Sequence, residues 1–151
     1  MRIVEFLRPD AVIADLAGQS TEEVLAELCR PLAQHGQDSQ ALLEILLERE
    51  TLGSTGIGDG VAIPHGMFPG TSGLLASFGR SRMGVDFNAI DRKPVRYFFT
   101  LFVAKEAAGP HLQALARVSR VFKNPALREA IFDAKDAPAI YRLINEADAK
   151  D

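Results

Sequence analysis

Apolar positions along this chain fall into helix-period and strand-period stretches that alternate, which predicts helices interleaved with short strands. Val12, Ile13 and Leu16 predict a first short strand over Asp10 to Leu16. Ser20 followed by Thr21-Glu22-Glu23 is an N-cap signature for a helix to about Gln34, stopping near Gly36. Asp38 or Ser39 caps a second helix to about Glu50, with Leu42, Leu43, Ile45, Leu46 and Leu47 on its apolar face and Arg49 in its last turn. Val61-Ala62-Ile63 reads as a short buried strand, and Leu74 to Ser81 and Val95 to Val103 as two longer ones. The last of these is almost wholly apolar and therefore central in its sheet. Pro110 suits the first turn of a helix running to about Lys123, and Pro125 to Ala134 and Pro138 to Ala147 predict two closing helices. There is no internal repeat, low-complexity tract or interdomain linker, and 151 residues suffice for one sizeable core. The expected fold is α/β: a single domain over residues 1–151, with a core of about 5–147, built as a mixed central sheet flanked by helices.

The chemistry concentrates between the second helix and the third predicted strand. Gly53-Ser54-Thr55-Gly56-Ile57-Gly58-Asp59-Gly60-Val61-Ala62-Ile63-Pro64-His65-Gly66 sets four glycines and two hydroxyls ahead of a short apolar strand that ends on one histidine. Such a loop is able to present bare backbone N–H groups to an anion. Pro64 biases Ile63 toward an extended conformation, and Gly66 leaves little bulk beside the ring. An imidazole aimed at an anion cradle suggests a nucleophile that accepts a phosphoryl group. An ordinary turn with a structural histidine is the plainer alternative. Known nucleotide motifs do not decide it: G-x-x-x-x-G-K-[ST] is lacking, and Gly56, Gly58 and Gly60 fail the G-x-G-x-x-G spacing.

Composition narrows the field. A net charge of −3 gives no electrostatic reason to expect nucleic-acid binding. The lone Cys29 excludes an internal disulfide and, placed among Val24, Leu25, Leu28 and Leu32, reads as a buried structural thiol. The N-terminus lacks a signal-peptide pattern, and no apolar run approaches the roughly 20 residues needed to span a bilayer. A cytoplasmic protein without direct membrane insertion is expected.

The segment from Leu47-Glu48-Arg49-Glu50-Thr51-Leu52 through Gly66 resembles the phosphorylation-site signature of one family. These are the IIA components of the bacterial phosphoenolpyruvate-dependent phosphotransferase system, of the fructose/mannitol/nitrogen-regulatory class. Val85 to Val95 and Gly109-Pro110-His111-Leu112-Gln113-Ala114-Leu115-Ala116-Arg117 match further downstream, the latter where the family has a second histidine opening a helix. The resemblance implies the mannitol/fructose-type IIA fold and a phosphohistidine relay with no cofactor and no metal. It assigns His65 as phospho-acceptor, Arg49 and His111 as stabilisers of the phosphoryl charge, and Gly53, Ser54, Thr55, Gly56 and Gly58 as the phosphoryl-binding loop. The donor implied is a small histidine phosphocarrier protein.

Phe87 to Val95 looks closer to the nitrogen-regulatory branch, so a regulatory IIA protein with protein targets is expected first. A sugar-specific IIA component passing phosphate to a IIB domain for uptake is the alternative. Met67 departs from the lysine that the regulatory branch often carries there. Met67 and Phe68 are candidates for an apolar docking rim, with inward packing of Phe68 the equal alternative.

Other readings stay open on the residues alone. Arg49 could pair with Glu48 or Glu44, and Ser54 and Thr55 could cap the loop internally. His35 reads as a cation at a helix C-terminus, and Arg117 and Arg120 as a docking surface or an ordinary charged face. A divalent-metal site on His65 and His111 has no obvious third ligand beyond Asp59. A histidine-dependent phosphatase would share the nucleophile, and a non-catalytic interaction module would merely retain the fold.

Overall fold

Capping side chains divide the chain close to where its pattern predicts. A computed structural model describes residues 1–35, 37–69, 73–107 and 109–151, and of residues 34, 35, 107, 110 and 111 the backbone alone. Ser20 Oγ accepts the Glu23 N–H at 3.2 Å and starts α1 (Thr21–Cys29). Asp38 accepts from Gln40 and Ala41 at the head of α2 (Ser39–Glu50). Asn124 and Asp136 cap α4 (Pro125–Asp133) and α5 (Ala137–Ala149) in the same way, each with a proline in the first turn. Between α2 and α4 lies α3 (Gly109–Phe122), whose first turn carries Pro110 as expected.

Several boundaries differ from the sequence reading: the strand expected over Leu74 to Ser81 runs on to Val85, and the N-terminal half shows two further shifts. The first α-helix ends at Cys29 rather than near Gln34, and Arg30–His35 continues as a 3-10 turn. Pro31 accounts for this: it lacks an N–H and its ring obstructs the carbonyl one turn earlier. The first strand, β1, is Leu7–Ile13 rather than 10–16. Its partner explains the shift, because Leu7 pairs with Ala76 and Ile13 with Gly79, so the register is set at long range. Leu16 lies beyond the strand but still packs over Gly79.

The remaining strands are β2 (Gly56–Gly58), β3 (Val61–Ala62), β4 (His65–Phe68), β5 (Leu74–Val85) and β6 (Val95–Ala104). They form a six-stranded mixed sheet in the order β1-β5-β6-β3-β2, with β4 also paired to β6. Central β6 is antiparallel to β5 on one side. On the other side it runs parallel to β3 and then β4, which follow one another along the same edge. Neither β2 nor β4 was expected from the sequence, because both are short and glycine-bearing and exist through their partners.

Phe78 of β5, Phe99 of β6 and Phe122 of α3 meet in the core, with ring centroids 5.6–6.3 Å apart. Cys29 is fully buried, and burial pushes its thiol up to about 12, which makes it the inert structural residue expected. No described helix is long and apolar enough to cross a membrane.

Candidate functional site

The site is assembled where the C-terminal end of α2 meets the shared edge of β3 and β4. Arg49 and Glu50 close α2, and the chain then loops through Gly53, Ser54 and Thr55 into β2. Asp59 and Gly60, both at positive φ (58° and 78°), turn the chain back as β3. Ile63 and Pro64 carry it past the end of β3, and His65 opens β4 opposite Leu101 of β6. The Pro64 carbonyl accepts the Leu101 N–H at 2.9 Å, so the segment stays tied to the central strand although Pro64 itself donates nothing.

Two glycines are demanded by close approach. A Cβ on Gly66 would overlap Ile45 Cγ2 of α2, so this glycine admits the helix rather than merely clearing space beside the imidazole. A Cβ on Gly56 would stand 2.8 Å from Ala89 Cβ, which holds the loop against the 86–94 segment.

His65 is half-buried, and its Nδ1 lies 2.7 Å from the Ile63 carbonyl oxygen. A carbonyl only accepts, so Nδ1 carries the proton and the neutral ring has its lone pair on Nε2. Burial lowers the His65 pKa, and the nearby positive charge of Arg49 adds to that effect. The Ile63 hydrogen bond and the negative charge of Glu50 oppose it. The net direction keeps the imidazole neutral at ordinary pH.

Arg49 pairs with neither Glu44 nor Glu48 here: its Nη1 donates to the Gly53 carbonyl at 2.9 Å. Several of the loop donors are engaged internally. Gly53 N–H donates to the Glu50 carbonyl and Gly56 N–H to Ser54 Oγ. Ser54 Oγ donates to the Phe87 carbonyl at 2.6 Å, and the Thr55 N–H and hydroxyl both donate to the Glu50 carboxylate. The N–H groups of Gly53, Thr55 and Gly56 are therefore not bare in this structure, contrary to the expectation of an open cradle; at buried Thr55 and Gly56 this satisfies donors that would otherwise be enclosed unpaired. Gly58 ends β2 and pairs with Val61 across the hairpin.

His111 is placed in the first turn of α3, and its side chain lies outside what the structure describes. The same holds for the side chain of His35. Phe68 is buried (7% exposed) and forms no rim, because strand alternation turns it opposite to Met67, which is 51% exposed. Exposed Leu52, Ile57 and Ile90 instead stand around the glycine loop. Arg117 and Arg120 bind Asp148 and Asp151 and so belong to the α3–α5 junction.

The sequence reading missed the role of Glu50, which it quoted without an assignment, and the carbonyls of Ile63 and Phe87. Position beside Arg49 was the available signal for Glu50. Backbone carbonyls leave none.

Comparison with known proteins bears on the fold and on the family. A nitrogen regulatory protein of Bradyrhizobium diazoefficiens is 36% identical over 145 residues, 95% of each chain. The fructose-specific EIIABC component of Bacillus subtilis is 33% identical over 150 residues, which are 98% of this chain and 24% of that longer protein. Among solved structures, the nitrogen regulatory protein IIA-Ntr from Neisseria meningitidis matches with a TM-score of 0.87 at 33% identity, covering 94% of this chain and 98% of that one. Residues 5–147 match the family described as phosphoenolpyruvate-dependent sugar phosphotransferase system, EIIA 2, and the chain belongs to that family.

Proposed function

We propose that this chain is a regulatory IIA phosphocarrier that accepts a phosphoryl group on Nε2 of His65. The single observation that carries the reading is the Nδ1–Ile63 bond, which aims the lone-pair nitrogen away from the strand backbone. The donor is the phosphohistidine of a small histidine phosphocarrier protein. The Nε2 lone pair forms the new N–P bond while the donor's N–P bond breaks, and that electron pair leaves with the donor imidazole.

Charge spreads over the phosphoryl oxygens during the transfer, so catalysis is mostly positioning and electrostatic stabilisation. Arg49, whose charge already bears on His65, supplies the cation, and the second histidine, His111, supplies a further donor at the head of α3. Gly53, Ser54, Thr55, Gly56 and Gly58 wall the phosphoryl group, and the N–H groups of Gly53, Thr55 and Gly56 must leave their internal acceptors before they bond it. No cofactor is required.

The regulatory reading is supported by the nitrogen regulatory relatives, which this chain matches over nearly its whole length and theirs. A second reading, a sugar-specific IIA that passes phosphate to a IIB domain, is supported by the fructose-specific relative. The deciding experiment incubates the protein with phosphoenolpyruvate, the first enzyme of the system and the phosphocarrier. Intact mass should show an acid-labile gain of one phosphate, lost in His65→Ala. No gain on the wild type, with partners verified on a control domain, overturns the reading. Efficient onward transfer to a IIB domain would favour the sugar-specific alternative.

A further inference from the structure

A chain of hydrogen bonds runs from the end of α2 to the imidazole of His65. The Glu50 carboxylate accepts the Thr55 N–H on both oxygens at 3.1 Å and the Thr55 hydroxyl at 2.6 Å. The Thr55 carbonyl accepts the Ile63 N–H at 3.1 Å. The Ile63 carbonyl then accepts the proton on His65 Nδ1 at 2.7 Å. From this geometry we infer that Glu50 is a positioning residue for His65, acting through Thr55 and the backbone of Ile63.

Both intermediate residues are almost fully enclosed, Thr55 at 5% and Ile63 at 4% exposure. Hydrogen bonds to an ionised carboxylate are about twice as strong as neutral ones, and a buried network with few alternatives holds its members in place. Glu50 and Ile63 are joined through Thr55, which no other acceptor from α2 holds among the described residues.

The helix grips the His65 segment from its other side as well. Ile45, one turn earlier on α2, packs into the space left by Gly66. Residues 63 and 66, which flank Pro64 and His65, are thus both referred to α2. Arg49, next to Glu50, holds the same loop by the Gly53 carbonyl. One helix end therefore sets the positions of the cation and of the nucleophile together. If the Glu50–Thr55 link is cut, the Thr55 carbonyl that holds the Ile63 N–H loses its anchor to α2. The Ile63 carbonyl shifts with it, which weakens the bond that selects the Nδ1–H tautomer of His65.

This inference takes its catalytic meaning from the phosphoryl acceptance proposed above, but its primary test does not depend on it. The protein is labelled with ¹⁵N-histidine, His65 is assigned through His65→Ala, and its two ring nitrogens are measured at a pH where the ring is neutral. The wild type is expected to show the Nδ1–H tautomer. Glu50→Gln and Thr55→Val should each shift the ring toward the other tautomer and slow phosphoryl acceptance by about 10-fold or more, the scale of a small misplacement of a reacting group. Thr55→Ser, which keeps the hydroxyl, should restore both.

Folded variants with the wild-type tautomer ratio would overturn the inference. If Glu50→Gln does not fold, Thr55→Val set against Thr55→Ser decides the question alone. A tautomer shift in a protein that accepts no phosphoryl group would support the positioning role while removing the proposed function.

Discussion

Ile45 of α2 occupies the volume that a side chain on residue 66 would need, so the helix and the strand that begins with His65 are in direct contact. Gly66→Ala forces one of them to move. Overpacking of this kind costs about 1–3 kcal/mol, measurable by chemical denaturation. Ile45→Ala in the same chain should recover part of that loss, a coupling that a double-mutant cycle would detect. Strictly additive effects would mean that the two residues do not share the space.

The titration of His65 gives a pH signature with a definite sign. Its folded pKa is lowered, chiefly by burial, so the unfolded chain binds a proton more readily than the folded one. The contribution of the neutral ring to stability is therefore fully present above the unfolded value of about 6.5 and is lost as pH falls from there through the folded value. Denaturation midpoints followed across that window should fall with acid in the wild type, and the dependence should weaken in His65→Ala. The rate of phosphoryl acceptance should persist below the ordinary imidazole value, because the ring stays neutral there.

Arg49→Lys keeps the charge and removes the planar fork that reaches the Gly53 carbonyl. We expect stability to change by less than about 1 kcal/mol, since the side chain is only partly enclosed. Phosphoryl acceptance should slow by about 100-fold, the usual cost of losing one well-aimed stabilising donor. Rapid-quench transfer from the phosphorylated donor measures it. A lysine variant as fast as the wild type would take Arg49 out of the site.

Far from the loop, Asp148 of α5 is completely buried and holds Arg117 Nε at 2.5 Å, Arg2 Nε at 3.2 Å and the Ile3 N–H at 2.6 Å. It joins the N-terminal turn to α3 and α5. Asp148→Ala leaves the buried Ile3 N–H unpaired and the partly exposed Arg117 and Arg2 without their partner. It should cost about 1–3 kcal/mol, the range for leaving a buried donor unsatisfied. The part of the sample that remains folded should still accept phosphate at His65, which separates this structural ion pair from the chemistry.

How much of this was legible beforehand follows from the range of each interaction. Ser20, Asp38 and Asn124 act on N–H groups two or three residues away, so helix starts are visible as local pattern. The apolar run of β6 announces a central strand for the same reason, since every residue in it must be enclosed whatever covers it. The glycine loop, the proline-fixed approach and His65 itself were likewise readable, because each is a property of residue type and order.

What tertiary structure alone decided are the pairings between distant or partnerless-looking atoms. The bounds of β1 depend on β5, more than sixty residues along the chain, and β4 exists only because β6 offers it an edge. Phe87 reaches Ser54 across 33 residues, and Glu50 and Ile63 acquire their roles through Thr55. Residue types and their order settled which groups are candidates for the chemistry. The orientation of those groups came from backbone carbonyls, which are alike at every position and take on meaning only when folding places one of them beside a particular donor.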